Sequence, residues 1–134
     1  MLIRNCRIDL MLRLAFALVL ATLFLGKATS AAAEDAAAGE KVFMRCSICH
    51  SVTPGAGSTI GPRLNGVIGR KAGAAPGYQY SKAMAGSGLT WTKSNLDQYL
   101  TNPQKLVPGN KMAFAGLPNA NDRANLIAYL ATRK

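Results

Sequence analysis

The chain has 134 residues, with 16 basic and 6 acidic side chains, and its net charge at pH 7 is +10. Such a charge is compatible with binding to nucleic acid, but the sequence has no groove-reading motif and no stripe of interleaved basic and aromatic residues, which argues against that class. There is no internal repeat or low-complexity stretch after residue 33, so we predict a folded domain rather than a repeat array.

The first 33 residues have the pattern of a secretory signal peptide. Three arginines (Arg4, Arg7 and Arg13) precede an apolar run over residues 14–25, and alanines at 31–33 form a cleavage pattern. This run is shorter than the ~20 apolar residues that span a bilayer. We therefore predict a cleaved signal peptide at 1–33 and export to the periplasm. The alternative is an uncleaved anchor, which would tether the protein to the membrane.

Residues 34–134 form one predicted domain. Four of the sixteen basic residues and one of the six acidic residues lie before it, so the domain carries a net charge of +7. Such a charge steers a protein towards acidic partners, although a merely soluble basic surface has the same composition. A domain of this size is marginal on its own core.

The first predicted element of this domain is a helix. Asp35 is a suitable N-cap, and Gly39, Val42, Phe43 and Cys46 follow at helical spacing. We expect this helix to run into the cysteine motif that comes next.

That motif, Cys46-Ser47-Ile48-Cys49-His50, has the C-x-x-C-H spacing of covalent haem attachment. Two thiols on one turn can add to the two vinyl groups of a haem, and the following imidazole can then bind the iron. A zinc site would need a fourth clustered ligand, which the sequence does not supply. A thioredoxin-like redox pair would need a βαβ pattern, and a structural disulfide would close too small a loop to stabilise much.

Loops and short helices follow. Residues 51–79 are rich in glycine and proline and predict a long loop, and residues 81–85 predict a short helix. Thr92 can cap a helix that ends near Asn102-Pro103, because the residue before proline resists helical geometry. Residues 105–115 predict a second loop, and either Asn119 or Asn121 caps a last helix. Loops this long usually have a function, and a haem between them explains both.

Two methionines are candidates for the opposite face of the iron. Met44 is too close to Cys46 to reach that face. Met112 lies in an irregular loop that can present a thioether, whereas Met84 lies in a predicted helical turn and is expected to pack. Methionine is often only core filler, so spacing favours Met112 without excluding Met84.

With these features in place, the chain resembles class I cytochrome c, in particular the mitochondrial and bacterial members with a long sixth-ligand loop. The resemblance runs from about Gly39 to Leu130. Beyond the haem motif it includes Gly61-Pro62-Arg63-Leu64, Gly69-Arg70-Lys71, Ala75-Pro76-Gly77-Tyr78, Tyr80, Trp91, Tyr99-Leu100, Asn102-Pro103, Pro108-Gly109, Lys111-Met112, Phe114-Ala115-Gly116 and Leu126-Ile127-Ala128-Tyr129-Leu130.

The resemblance implies an all-α, cytochrome c-like fold of helices and long loops around one haem c, bound covalently through Cys46 and Cys49. It also implies that His50 and Met112 are the axial ligands of the iron. The carbonyl oxygen of Pro62 would then accept the other imidazole N–H, which fixes the ring.

The resemblance implies roles for six further residues that contact the haem. Arg70, Tyr80 and Trp91 would hold the propionates, and Tyr99 would hydrogen-bond near the methionine sulfur. Phe114 would cover the haem edge. Asn110 stands where the family often has threonine or serine against a propionate; asparagine can still donate, so the same contact is expected here.

The predicted function is one-electron transfer by a protein that is not an enzyme. With two axial ligands, the iron has no open site for a substrate. The resemblance implies transient partners, namely acidic faces of a membrane-bound reductase and of an oxidase or reaction centre, and it places Arg45, Lys105 and Lys111 on the basic rim. We expect a monomer. The alternative is a haem enzyme or a sensor of gas or peroxide with a labile sixth ligand, although the chain has no second histidine to act as an acid–base group.

Overall fold

The computed structural model describes residues 34–55 and 60–134. The predicted signal peptide at 1–33 lies outside the described residues. Five helices form the described part: α1 (Ala36–Phe43), α2 (Lys82–Ala85), α3 (Lys93–Thr101), α4 (Pro103–Leu106) and α5 (Ala120–Thr132). These residues contain no strand, and their one β-type pairing is an isolated bridge between Lys71 and Thr90. The all-α prediction is therefore confirmed.

Local capping fixes where the helices begin. The side chain of Asp35 accepts from the backbone N–H groups of Ala37 and Ala38, and that of Thr92 accepts from Asn95 N–H. At α5 the cap is Asn119, which decides the choice that the sequence left open. Each cap pairs backbone donors that have no partner inside the helix. The predicted starts of α1 and α3 are confirmed.

Two predicted boundaries differ from the structure. α1 ends at Phe43, before the cysteine motif, and residues 44–49 form successive turns instead. The segment predicted as a loop from residue 105 begins inside the short helix α4. Asn102 explains α4, because its backbone ends α3 while its side chain accepts from Lys105 N–H. Proline at the first position of α4 suits a helix start.

The first and last helices of the domain cross at a glycine. A Cβ built on Gly39 would lie 1.9 Å from the carbonyl oxygen of Asn125, so no larger residue fits at this crossing. The rings of Phe43 and Tyr129 pack against each other with centroids 5.4 Å apart. The buried face of α5 continues with Leu126, Ile127 and Leu130. These contacts pack α1 directly against α5.

A partly buried arginine on α5 joins α3 to the segment before α5. Arg123 Nε donates to Asp97 Oδ1 at 2.7 Å, and its Nη1 donates to the carbonyl oxygens of Leu117 and Pro118. The Arg123 side chain is only 11 % exposed, so these bonds replace most of the hydrogen bonds that its guanidinium would make to water.

Within the part of the chain described here, no helix is long and apolar enough to cross a membrane.

Candidate functional site

The turns after α1 bring the cysteine motif to one side of a cavity. The backbone N–H groups of Cys49 and His50 both donate to the carbonyl oxygen of Cys46, at 3.0 and 2.9 Å. Both cysteines are half-buried free thiols. Burial raises the pKa of the Cys46 thiol, while Arg45 opposes that rise. The motif therefore presents two thiols and one imidazole on a single short stretch of backbone.

His50 is held in one tautomer by the chain itself. Its Nδ1 lies 2.7 Å from the carbonyl oxygen of Pro62. A carbonyl can only accept, so Nδ1 carries the proton and Nε2 keeps a lone pair. Burial lowers the pKa of His50, with the Pro62 hydrogen bond opposing the shift. The result is a neutral imidazole whose remaining nitrogen can bind a metal.

All eleven residues that the sequence analysis assigned to the site line one cavity of about 290 Å3. They are spread over positions 46–114 of the chain: Cys46, Cys49, His50, Pro62, Arg70, Tyr80, Trp91, Tyr99, Asn110, Met112 and Phe114. Most other lining side chains are apolar, including Leu64, Val67, Leu96 and Leu100. A flat apolar group with a polar edge fits such a lining.

Arg70 and Tyr80 are two of the polar residues that line the cavity. The guanidinium of Arg70 donates to the carbonyl oxygens of Arg63 and Asn65 at 2.7 and 2.9 Å. The ion pairs among residues 34–55 and 60–134 do not include Arg70. Burial lowers the pKa of Arg70 and raises that of Tyr80. Among the described residues these are the hydrogen bonds of the Arg70 guanidinium, which leaves three of its five donors for an anionic group.

Two aromatic side chains form a buried wall. The rings of Trp91 and Tyr99 pack with centroids 5.0 Å apart, and both residues are buried. Burial raises the pKa of Tyr99 to about 12, with a smaller effect from Tyr78. Tyr99 therefore stays protonated at any ordinary pH, with its hydroxyl able to donate.

Both candidate methionines line the cavity, but they lie on different kinds of structure. Met84 is on α2, is 7 % exposed and belongs to the hydrophobic core. Met112 is half-buried and lies in the irregular segment between α4 and α5. By contrast, Met44 is 70 % exposed. The packing role predicted for Met84 agrees with its burial.

Asn110 lines the cavity without offering it a donor. Its Nδ2 donates to the carbonyl oxygens of Pro103 and Val107 at 3.0 and 2.8 Å, and its Oδ1 accepts from Met112 N–H at 2.9 Å. An amide has only two N–H donors, and both are used. The propionate contact expected for Asn110 therefore has no donor in this arrangement.

Several lining residues were not assigned to the site from the sequence. Leu126 and Leu130 pack in the core and also line the cavity, and Tyr78 lines it beside Tyr80, with ring centroids 4.8 Å apart. The apolar stripe of α5 was the available signal for the two leucines, but a stripe does not show which of its members also face a cofactor. Ile60, which is largely exposed, lies at the rim of the cavity.

Comparisons with known proteins find one family over most of the described chain. A family model described as cytochrome c matches residues 36–134. The chain is 54 % identical over 106 residues to cytochrome c2 of Rhodomicrobium vannielii, covering 79 % of this chain and 85 % of that one. It is also 54 % identical over 102 residues to cytochrome c2 of Rhodoblastus acidophilus, covering 76 % of this chain and 95 % of that one. Among solved structures, cytochrome cH from Methylobacterium extorquens matches with a TM-score of 0.69 and 47 % identity, covering 73 % of this chain and 98 % of that one.

Proposed function

The chain belongs to the cytochrome c family, and from this we propose that it is a one-electron carrier whose haem iron is bound by His50 and Met112. As a member of this family it carries haem c, attached covalently through Cys46 and Cys49, and it is an electron-transfer protein. The haem supplies a reversible one-electron change at its iron. The side chains around the cavity determine how the haem is held and what can reach it.

The observation that carries the proposal is the hydrogen bond from His50 Nδ1 to Pro62 at 2.7 Å. It leaves Nε2 as the ligand atom and prevents the ring from rotating. A bond of this kind also raises the basicity of the ligating nitrogen. His50 would therefore hold the iron through Nε2.

Met112 is the ligand we propose for the opposite face. It follows Asn110, which is hydrogen-bonded to both ends of α4, and it lines the same cavity as His50. Met84, the other candidate, is packed in the core on α2. If His50 and Met112 both held the iron, no position would be open to substrate, and oxidation or reduction would require no ligand exchange.

The remaining side chains hold the edges of the haem in this proposal. Arg70, with three unused donors, and Tyr80 would bind the propionates together with the indole of Trp91. Burying those carboxylates without donors would be costly. The Tyr99 hydroxyl would donate towards the Met112 sulfur, and Phe114 would cover the exposed edge.

The basic surface supports partners that are acidic. Arg45, Lys105 and Lys111 are exposed, and Arg45 and Lys111 line the cavity. We propose that they steer a monomeric carrier to acidic faces of a membrane-bound reductase and of an oxidase or reaction centre. Complexes of this kind are small and transient. Raising the ionic strength should slow reduction by the partner, and a rate that does not respond to salt would remove the steering argument.

Location is a further part of the proposal. Residues 1–33 would be a signal peptide and residues 34–134 the periplasmic haem domain. N-terminal sequencing of the purified protein tests this. A first residue at or near Glu34 supports cleavage, whereas the full N-terminus would indicate a membrane-tethered carrier.

An optical spectrum of the haem-loaded protein tests the ligation. We expect a methionine–iron band in the oxidised state and a reduced spectrum that carbon monoxide does not change. Met112→Ala should abolish the band and admit carbon monoxide, while Met84→Ala, the matched control, should keep the wild-type spectrum. Rapid carbon monoxide binding by the wild type would instead favour a haem enzyme or a sensor with a labile sixth ligand.

A further inference from the structure

Asn110 is the one buried polar residue within residues 34–55 and 60–134, with 8 % of its surface exposed. Its side-chain amide makes three hydrogen bonds, all to backbone groups. A buried amide with unpaired atoms would destabilise the fold, so this full pairing explains how asparagine is tolerated here.

The partners leave one orientation of the amide. Two of them, the carbonyl oxygens of Pro103 and Val107, can only accept, so they must face Nδ2. The third, the backbone N–H of Met112, can only donate, so it must face Oδ1. Reversing the amide would oppose acceptor to acceptor and donor to donor at all three positions.

These bonds join the segment that carries Met112 to a fixed support. Pro103 and Val107 lie at the two ends of α4, and Pro103 is among the most deeply buried residues described. A second set of contacts runs alongside: Gln104 Oε1 accepts from Gly109 N–H, and Gln104 Nε2 donates to the carbonyl oxygen of Asn110. The third bond of the Asn110 amide, which Oδ1 accepts from Met112 N–H, holds the backbone of the proposed ligand itself.

We propose that Asn110 is a positioning residue for Met112 rather than a contact of a haem propionate. Its amide fixes the backbone at Met112 to α4 and thereby keeps the thioether in the cavity. The proposal rests on the proposed function, because it takes Met112 as the sixth ligand. It assigns the side chain a role that follows from its own bonds, since no donor is left for a propionate.

Binding of imidazole to the oxidised, haem-loaded protein tests this. Imidazole can bind only when the Met112 ligand is displaced, so its affinity reports how firmly the Met112 segment is held. Loss of all three bonds in Asn110→Ala should tighten imidazole binding by about tenfold or more. Asn110→Ser, which can still accept from Met112 N–H and donate one bond, should lie between the wild type and alanine and also covers the case in which alanine does not fold.

Val107→Ala is the control for a merely structural effect. It removes buried side-chain atoms at the end of α4 but keeps the backbone carbonyl that Asn110 uses. It should lower the denaturant midpoint and leave imidazole affinity within about threefold of the wild type. Equal tightening in Val107→Ala and Asn110→Ala would overturn the proposal.

A contact between Asn110 and a haem propionate would give a different result in these measurements. If Asn110 bound a propionate, Asn110→Ala would change the pH dependence of the reduction potential and leave imidazole affinity at the wild-type value, which would also overturn the proposal. If Met112 were not the sixth ligand at all, the wild type itself would lack the methionine–iron band, and this result is distinct from the two outcomes that overturn the role of Asn110.

Discussion

The backbone of Gly61 lies directly against the imidazole of His50. A Cβ built on Gly61 would be 2.5 Å from Cε1 and 2.7 Å from Nδ1 of the ring. The neighbouring Pro62 holds the same ring through its carbonyl oxygen. Two adjacent residues therefore act on the imidazole: Pro62 orients it, and Gly61 leaves room for it because glycine has no side chain.

We expect Gly61→Ala to push the imidazole out of this position. Overpacking of this kind costs about 1–3 kcal/mol, and the His50–Pro62 hydrogen bond should lengthen. The measurements are the haem content per polypeptide and the denaturant midpoint of the loaded protein. Gly86→Ala is the matched control, because there the nearest atom to a new Cβ is 3.2 Å away. A wild-type midpoint in Gly61→Ala would contradict the contact.

Gly39→Ala should force α1 and α5 apart, because the new methyl would lie 1.9 Å from the carbonyl oxygen of Asn125. Backbone atoms cannot move aside as a flexible side chain can, so we expect a loss of about 3 kcal/mol in the free energy of unfolding. Chemical denaturation measures it. Lys41→Ala, at an exposed position of the same helix, should change stability by no more than ~0.5 kcal/mol; a similar loss in both variants would refute the crossing as its cause.

Arg123→Ala should destabilise the protein more than Asp97→Asn. The alanine variant removes three hydrogen bonds and unpairs the carbonyl oxygens of Leu117 and Pro118, for a cost of about 2 kcal/mol. The asparagine variant removes only a charge from a side chain that is 46 % exposed, so its cost should stay below ~1 kcal/mol. Denaturation at two ionic strengths checks both. If the two variants were equally destabilised, the ion pair rather than the carbonyl bonds would be the main contribution.

Tyr99 should make stability fall at high pH. Burial raises its pKa to about 12, while an unfolded tyrosine has a pKa of about 10. Between these values the unfolded chain loses the proton and the folded chain keeps it. The contribution of Tyr99 is therefore fully present below pH ~10 and is lost as pH rises towards 12.

Tyr99→Phe should flatten this decline in the free energy of unfolding, measured by urea denaturation at several pH values. Part of the decline should remain, since burial also raises the pKa of Tyr80. Below pH ~9 the two proteins should show parallel pH dependence, which serves as the internal control. Identical slopes above pH ~10 would show that Tyr99 ionises as an exposed tyrosine does.

The features that could be predicted from the sequence are those whose causes lie within a few residues along the chain. Asp35 and Thr92 cap helices through N–H groups two or three residues away, so a local pattern was sufficient. The cysteine motif predicted the haem for the same reason, because its chemistry lies within five residues. The family resemblance then supplied positions far apart in the chain, and these share one cavity.

The features that could not be predicted depend on backbone groups as hydrogen-bond partners, and the sequence does not distinguish one backbone group from another. Asn110 and Arg123 both bind backbone carbonyl oxygens, which every residue has. Nothing in the side-chain pattern distinguishes such an asparagine from one that contacts a propionate. α4 was missed for a related reason: Asn102 ends one helix and caps the next, and the proline after it suggested only an end.

The crossing of α1 and α5 joins groups that are 90 positions apart, as in the hydrogen bond from Asp35 N–H to Asn125 Oδ1. Closing a flexible loop of that length costs about 4 kcal/mol in chain entropy. α1 therefore has no partner at this crossing until α5 is present, so the packing of the two helices depends on the whole length of chain between them.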